Sequence, residues 1–82
     1  MEGASAAQLP IFAVPTASPL TARQLECLAW ISEGKSSTDI GAILDISPRT
    51  VDYHVAEICR RLGVRTRMQA VKQAVRMRWI EG

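Results

Sequence analysis

The sequence predicts an all-α fold: a four-helix, bundle-like domain over residues 20–82 with a helix-turn-helix at its centre. Three observations lead there. Apolar residues recur at three- and four-residue spacing, and no stretch alternates with the period of two that marks a strand. Hydroxyl residues suited to capping stand at the head of each periodic stretch, at Thr21, Ser36, Ser47 and Thr66. Gly34 and Gly63 stand where such stretches end, and Pro48 stands where one restarts. With 82 residues and 5% aromatics, the chain forms one small domain with an aliphatic core.

Residues 1–19 read as a flexible, Pro-rich leader or linker. Pro10, Pro15 and Pro19 fix φ and push their predecessors towards extended geometry. The patch Leu9, Ile11, Phe12 and Val14 either docks on the domain or another chain, or belongs to a disordered leader. The first helix opens at Thr21, where Gln24 completes a capping box and Leu20 and Leu25 sit as a hydrophobic staple. It runs through Leu25, Leu28, Ala29 and Ile31 to Gly34. Ser36 caps a short second helix, with Asp39 in its first turn and an apolar stripe of Ile40, Ile43 and Leu44. Ser47 and Pro48 then force a new start, so the second helix ends near Asp45 and a turn of about three residues follows.

The third helix spans 48–62. Val51, Val55, Ile58 and Leu62 cluster within about 60° of one another on a helical wheel and form its core stripe. Arg49, Tyr53, Ala56 and Arg60 fall on the opposite side, within about 60°, with Asp52 at the border. A fourth helix starts near Thr66 and runs to about Trp79, with Met68, Val71, Ala74, Val75 and Trp79 on its apolar side.

Several function classes fall away. No apolar run approaches the ~18 residues a membrane span needs. Cys27 and Cys59 are too few for a disulfide framework and have no metal-ligand spacing, so we expect a reduced, cytoplasmic protein with no metal and no cofactor. His54 borders the core stripe and reads as a structural hydrogen-bonding residue. The serines cap helices, so no catalytic constellation forms and an enzyme is not expected.

The net charge of +2 hides an asymmetry. Residues 1–47 carry two basic against five acidic side chains, a charge of −3, whereas residues 48–82 carry eight against three, a charge of +5. That split points to a polyanionic partner for the second half. The outer face of the third helix suits the major groove of B-DNA. Arg49 can donate to a guanine edge or a phosphate, Tyr53 can meet a thymine methyl or a phosphate, and Ala56 permits close approach. Asp52 repels phosphate, yet can accept from cytosine N4; alternatively it pairs with a neighbouring arginine. Arg60 and Arg61 lie further along, where the helix leaves the groove.

Four blocks occur in order: Leu20-Thr21-Ala22-Arg23-Gln24-Leu25-Glu26-Cys27-Leu28, Gly34-Lys35-Ser36-Ser37-Thr38-Asp39-Ile40-Gly41, Ile46-Ser47-Pro48-Arg49-Thr50-Val51-Asp52-Tyr53-His54-Val55 and Arg61-Leu62-Gly63-Val64-Arg65-Thr66-Arg67. Together they resemble the LuxR-type (GerE-like) helix-turn-helix domain over nearly all of residues 20–82. Trp30 and the second block are most similar to the quorum-sensing branch, whose full members add an N-terminal acyl-homoserine-lactone domain that these 82 residues do not contain. The resemblance implies a sequence-specific, dimeric transcription regulator with the third helix as recognition helix. It places Asp52, Tyr53 and Ala56 at base-reading positions, to which the face adds Arg49. It places Lys35, Thr50 and Arg61 at backbone contacts, with Arg60 and Arg67 as additions, and Val71, Ala74 and Val75 at a dimerisation helix. The implied partners are double-stranded DNA, a second copy, and RNA polymerase or another LuxR-type regulator. Ala22, Gln24 and Arg78 depart from the family's usual proline, glutamate and glycine, and Asp52 and Tyr53 depart at reading positions.

Other readings compete. A sigma-factor region-4 module uses a similar helix-turn-helix, but the fourth helix and the Gly63–Arg67 block favour the LuxR type. An interaction protein that pairs with and modulates a full-length LuxR-type regulator without binding DNA is motivated by Asp52 and the missing ligand domain. The DNA-binding end of a recombinase has no catalytic residues to support it.

Overall fold

Four hydroxyl side chains start four helices. In the computed structural model, which describes residues 18–81, these are α1 (Ala22–Ser32), α2 (Ser37–Leu44), α3 (Pro48–Leu62) and α4 (Arg67–Arg76). The apolar leader patch at Leu9, Ile11, Phe12 and Val14 lies outside the described residues. Each cap residue is extended, and its hydroxyl accepts the backbone N–H three residues on. Thr21 and Gln24 close the expected capping box, with Gln24 Oε1 accepting the Thr21 N–H at 2.9 Å. Ser36 with Asp39, and Thr66 with Gln69, close two more. The hydrogen bonds to Asp39 from the Ser36 backbone and then from its side chain hold that carboxyl below its ordinary pKa. Leu20 and Leu25 are both buried, as a staple requires.

All four helices end in a left-handed residue: Gly34, Asp45, Gly63 and Arg78. The α4 end is a Schellman motif, in which the Arg78 N–H donates to the Val75 carbonyl and the Trp79 N–H to the Ala74 carbonyl. This end corrects the expected length of the last helix. It stops at Arg76, and Trp79 reaches the core from beyond the cap, followed by Ile80.

The core runs along α1, α3 and α4. Leu25, Cys27, Leu28, Ala29 and Ile31 meet Val51, Val55 and Ile58, with Ala70, Val71, Ala74, Trp79 and Ile80 closing the far side. Burying each large aliphatic side chain contributes about 1.5–3 kcal/mol. Burial also pushes the Cys27 thiol up to about 11, so it behaves as a small apolar residue. Helix α3 is central and packs on α1, α2 and α4, whereas α2 and α4 do not pack on each other.

Three positions differ from their expected environment: Met68, expected on the apolar side of the last helix, is 56% exposed, and Ile43 and Ala74 depart as well. Ile43 is 42% exposed and lies off the buried edge of α2, which is formed by Ile40 and Gly41 with Leu44 half-buried. Ala74, expected at a partner, is wholly buried in the core and offers no surface. Its short side chain lies beneath α4, on the helix face turned towards α1. Among the described residues no helix is long and apolar enough to cross a membrane.

Candidate nucleic-acid interface

The turn between α2 and α3 sets the angle at which α3 is presented. It comprises Asp45, Ile46 and Ser47, and the left-handed φ of 61° at Asp45 bends the chain out of α2. The Ile46 N–H then donates back to the Gly41 carbonyl at 2.9 Å. Gly41 is buried against this turn: a Cβ there would lie 2.6 Å from the Ile46 carbonyl oxygen and 3.3 Å from the Pro48 nitrogen. The missing side chain therefore sets how closely the two helices approach.

Helix α3 turns Val51, Val55 and Ile58 inward and leaves Arg49, Thr50, Asp52, Tyr53, Ala56, Arg60 and Arg61 exposed. Arg49, Asp52, Tyr53, Ala56 and Arg60 follow the spacing i, i+3, i+4, i+7 and i+11, so they share one face. Tyr53 is 62% exposed, and its ring lies 6.0 Å from that of His54, which is half-buried. The Arg49 guanidinium has no hydrogen bond or ion pair among the described residues. The Thr50 hydroxyl lies 2.9 Å from that of Ser47, at the helix start. Lys35 is exposed just ahead of α2.

The other charged candidates, Asp52, Arg60, Arg61 and Arg67, are engaged within the domain. Arg60 grips Glu57 through two nitrogens, at 2.7 and 3.3 Å. That pairing holds the Glu57 carboxyl below, and the Arg60 guanidinium above, their ordinary pKa values. Arg61 Nη1 donates to the Pro19 carbonyl at 3.0 Å and ties the approach to α1 onto the end of α3. Arg67 reaches Asp52, with Nη2 3.8 Å from Oδ1. The same oxygen accepts from Ser37 Oγ at the start of α2.

The expected reading face is thus assembled on α3, while the expected backbone-contact residues fall around it. The Glu57–Arg60 pair was legible as an i, i+3 spacing but was not singled out. Ser37 stands 15 residues from Asp52, and no local spacing signals their contact. Along α4, Val71 and Val75 line a shallow groove of about 400 Å³ with Ser32, Lys72 and Arg76. Among the described residues, no three His, Cys, Asp or Glu side chains gather to hold a metal ion.

Residues 18–74 match the family of bacterial regulatory proteins known as the luxR family. The chain is 46% identical over 56 residues to the transcriptional activator protein VanR of Vibrio anguillarum, an alignment covering 68% of this chain and 23% of that protein. It is 47% identical over 58 residues to the transcriptional activator protein LuxR of Aliivibrio fischeri, covering 71% and 23%. The fold superposes on the transcription factor GerE with a TM-score of 0.71 and 34% identity, covering 74% of this chain and 91% of that one. It also superposes on the response regulator ChrA of a heme-sensing two-component system, with a TM-score of 0.72, 35% identity, and coverage of 80% and 33%. The chain spans about a quarter of the length of the curated relatives it matches. With that family match, the sequence blocks and the helix-turn-helix geometry in agreement, the chain belongs to the luxR family of bacterial transcription regulators and carries its DNA-binding domain.

Proposed function

We propose that this chain regulates transcription in the cytoplasm by binding specific double-stranded DNA as a homodimer, with α3 in the major groove. The supporting observation is the exposed α3 face. It presents a guanidinium with no partner among the described residues at Arg49, an aromatic hydroxyl at Tyr53 and a small residue at Ala56. The major groove is wide enough for such a helix, and its edges offer acceptors and methyl groups to these side chains. Lys35, Thr50, Arg60 and Arg61 flank that face and meet the phosphates. The Arg60–Glu57 pair is exposed and inexpensive to exchange for a phosphate. Val71 and Val75 pair two copies along α4.

Selection of bound sequences from random DNA, followed by a salt titration on the best site, tests this reading. Each neutralised phosphate contributes a slope of about −0.9 to log affinity against log salt, so about three to five contacts per subunit give a dimer slope of about −5 to −9. No binding at low salt, even to selected sequences, together with tight association with another LuxR-type protein, overturns it in favour of an interaction protein.

A further inference from the structure

Asp52 is an exposed carboxylate on the α3 face that the proposed function sets in the major groove. Two other elements converge on it. Ser37 Oγ, from the first turn of α2, donates to Oδ1, and the Arg67 guanidinium, from the first turn of α4, stands 3.8 Å from the same oxygen. Because α2 and α4 do not pack on each other, Asp52 on α3 is where their N-terminal ends are linked. Both contacts use Oδ1. Oδ2 has no partner among the described residues, and the side chain is 60% exposed.

This arrangement restrains the carboxylate through Oδ1 and leaves Oδ2 free to accept. A free aspartate at this position rotates about χ1 and χ2 and carries a full charge towards the phosphates. Held by a hydroxyl and beside a guanidinium, it loses rotamer freedom before binding, and its charge is partly offset. A base-edge donor that meets Oδ2 then pays little ordering entropy. Cytosine N4 is the major-groove donor that a carboxylate accepts from. Resting on the DNA-binding reading above, we propose that Ser37 and Arg67 are positioning residues that preset Asp52 to select a cytosine, and that Arg67 acts through Asp52 rather than on a phosphate.

The test compares base preferences selected from random duplex DNA by the wild-type chain and by Asp52→Asn, Ser37→Ala, Ser37→Thr, Arg67→Ala and Arg67→Lys, with melting curves as a fold control. Asp52→Asn is expected to reduce the preference for cytosine at one base pair by about fivefold or more. Ser37→Ala and Arg67→Ala are expected to relax the same base pair, each by less than Asp52→Asn, and to leave the other positions unchanged. Ser37→Thr restores the preference and Arg67→Lys restores part of it. The inference is overturned if Ser37→Ala and Arg67→Ala weaken all sequences alike and leave every base preference intact. It is equally overturned if Arg67→Ala removes about 0.9 from the salt slope with the cytosine preference unchanged, since Arg67 is then on a phosphate. Absence of any selected sequence for the folded wild type defeats the underlying DNA-binding reading instead.

Discussion

Tyr53 sits in the middle of the α3 face with most of its surface in solvent, whereas Arg61 lies two turns further on and is tied to the Pro19 carbonyl. On the proposed function, these placements give the two residues different work. A side chain at the centre of the face meets base edges, where each good contact discriminates by about 1–3 kcal/mol. A guanidinium near the helix end meets phosphates, which carry no sequence information. Tyr53→Ala is therefore expected to weaken binding to the best site by more than it weakens binding to random DNA. Arg61→Ala is expected to weaken both by the same factor. Competition binding against the two DNAs reads the ratio directly, and a ratio unchanged by Tyr53→Ala removes Tyr53 from the reading set.

Among the elements, helix ends carry most of the local information. Gly41 lies inside α2, where glycine ordinarily costs about 0.5–1 kcal/mol relative to alanine. The structure explains its presence, since a Cβ would press on the Ile46 carbonyl and the Pro48 nitrogen, both rigid backbone. Gly41→Ala is expected to lower stability by about 1–3 kcal/mol in urea unfolding and to tilt α3 away from α2. Arg78 presents the opposite case. It holds φ at 62°, where a side chain costs about 1–2 kcal/mol. Arg78→Gly is expected to raise stability by about 1 kcal/mol, a melting shift of roughly 4–8 °C for a domain of this size. The caps at Thr21, Ser36, Ser47 and Thr66 were legible in the sequence because each is a hydroxyl residue heading an apolar-periodic stretch, with Gln24 three residues after Thr21 and Pro48 directly after Ser47. The core stripe of α3 was legible because a fifteen-residue helix gives the 3.6-residue period room to show. Helix α2 has eight residues, too few turns to distinguish the exposed Ile43 from the buried Ile40, and Gly41 is explained only by the turn that crosses it. The early end of α4 turns on a left-handed arginine, a conformation no residue preference would suggest. The positions of the candidate reading residues followed from helical spacing. Their partners did not, because Ser37, Arg67 and Pro19 are brought to α3 by the packing of whole helices.

At the scale of the whole molecule, a domain of this size presents one α3 face, which on the proposed function reads a single half-site. Pairing two copies places two such faces about 10 base pairs apart on one side of the duplex. Which part of α4 can pair follows from burial. Ala74 is wholly enclosed, and Val71 is only 7% exposed, so a charge at either would first disrupt the core. Val75 is half-buried at the edge of the groove that Val71, Lys72 and Arg76 also line, so a change there reaches a partner before it reaches the fold. Val75→Asp is expected to retain the wild-type helical spectrum and a cooperative melt. It is expected to bind a single half-site as the wild type does and to lose the cooperative increment on DNA carrying two. Sedimentation with and without that DNA separates the two effects, because a carboxylate buried at an apolar contact costs far more than one left in water. Undiminished cooperativity in Val75→Asp moves the interface off this face of α4. The pairing then has to run through other surface, and the exposed Met68 and Met77 at the two ends of the helix become the next positions to charge.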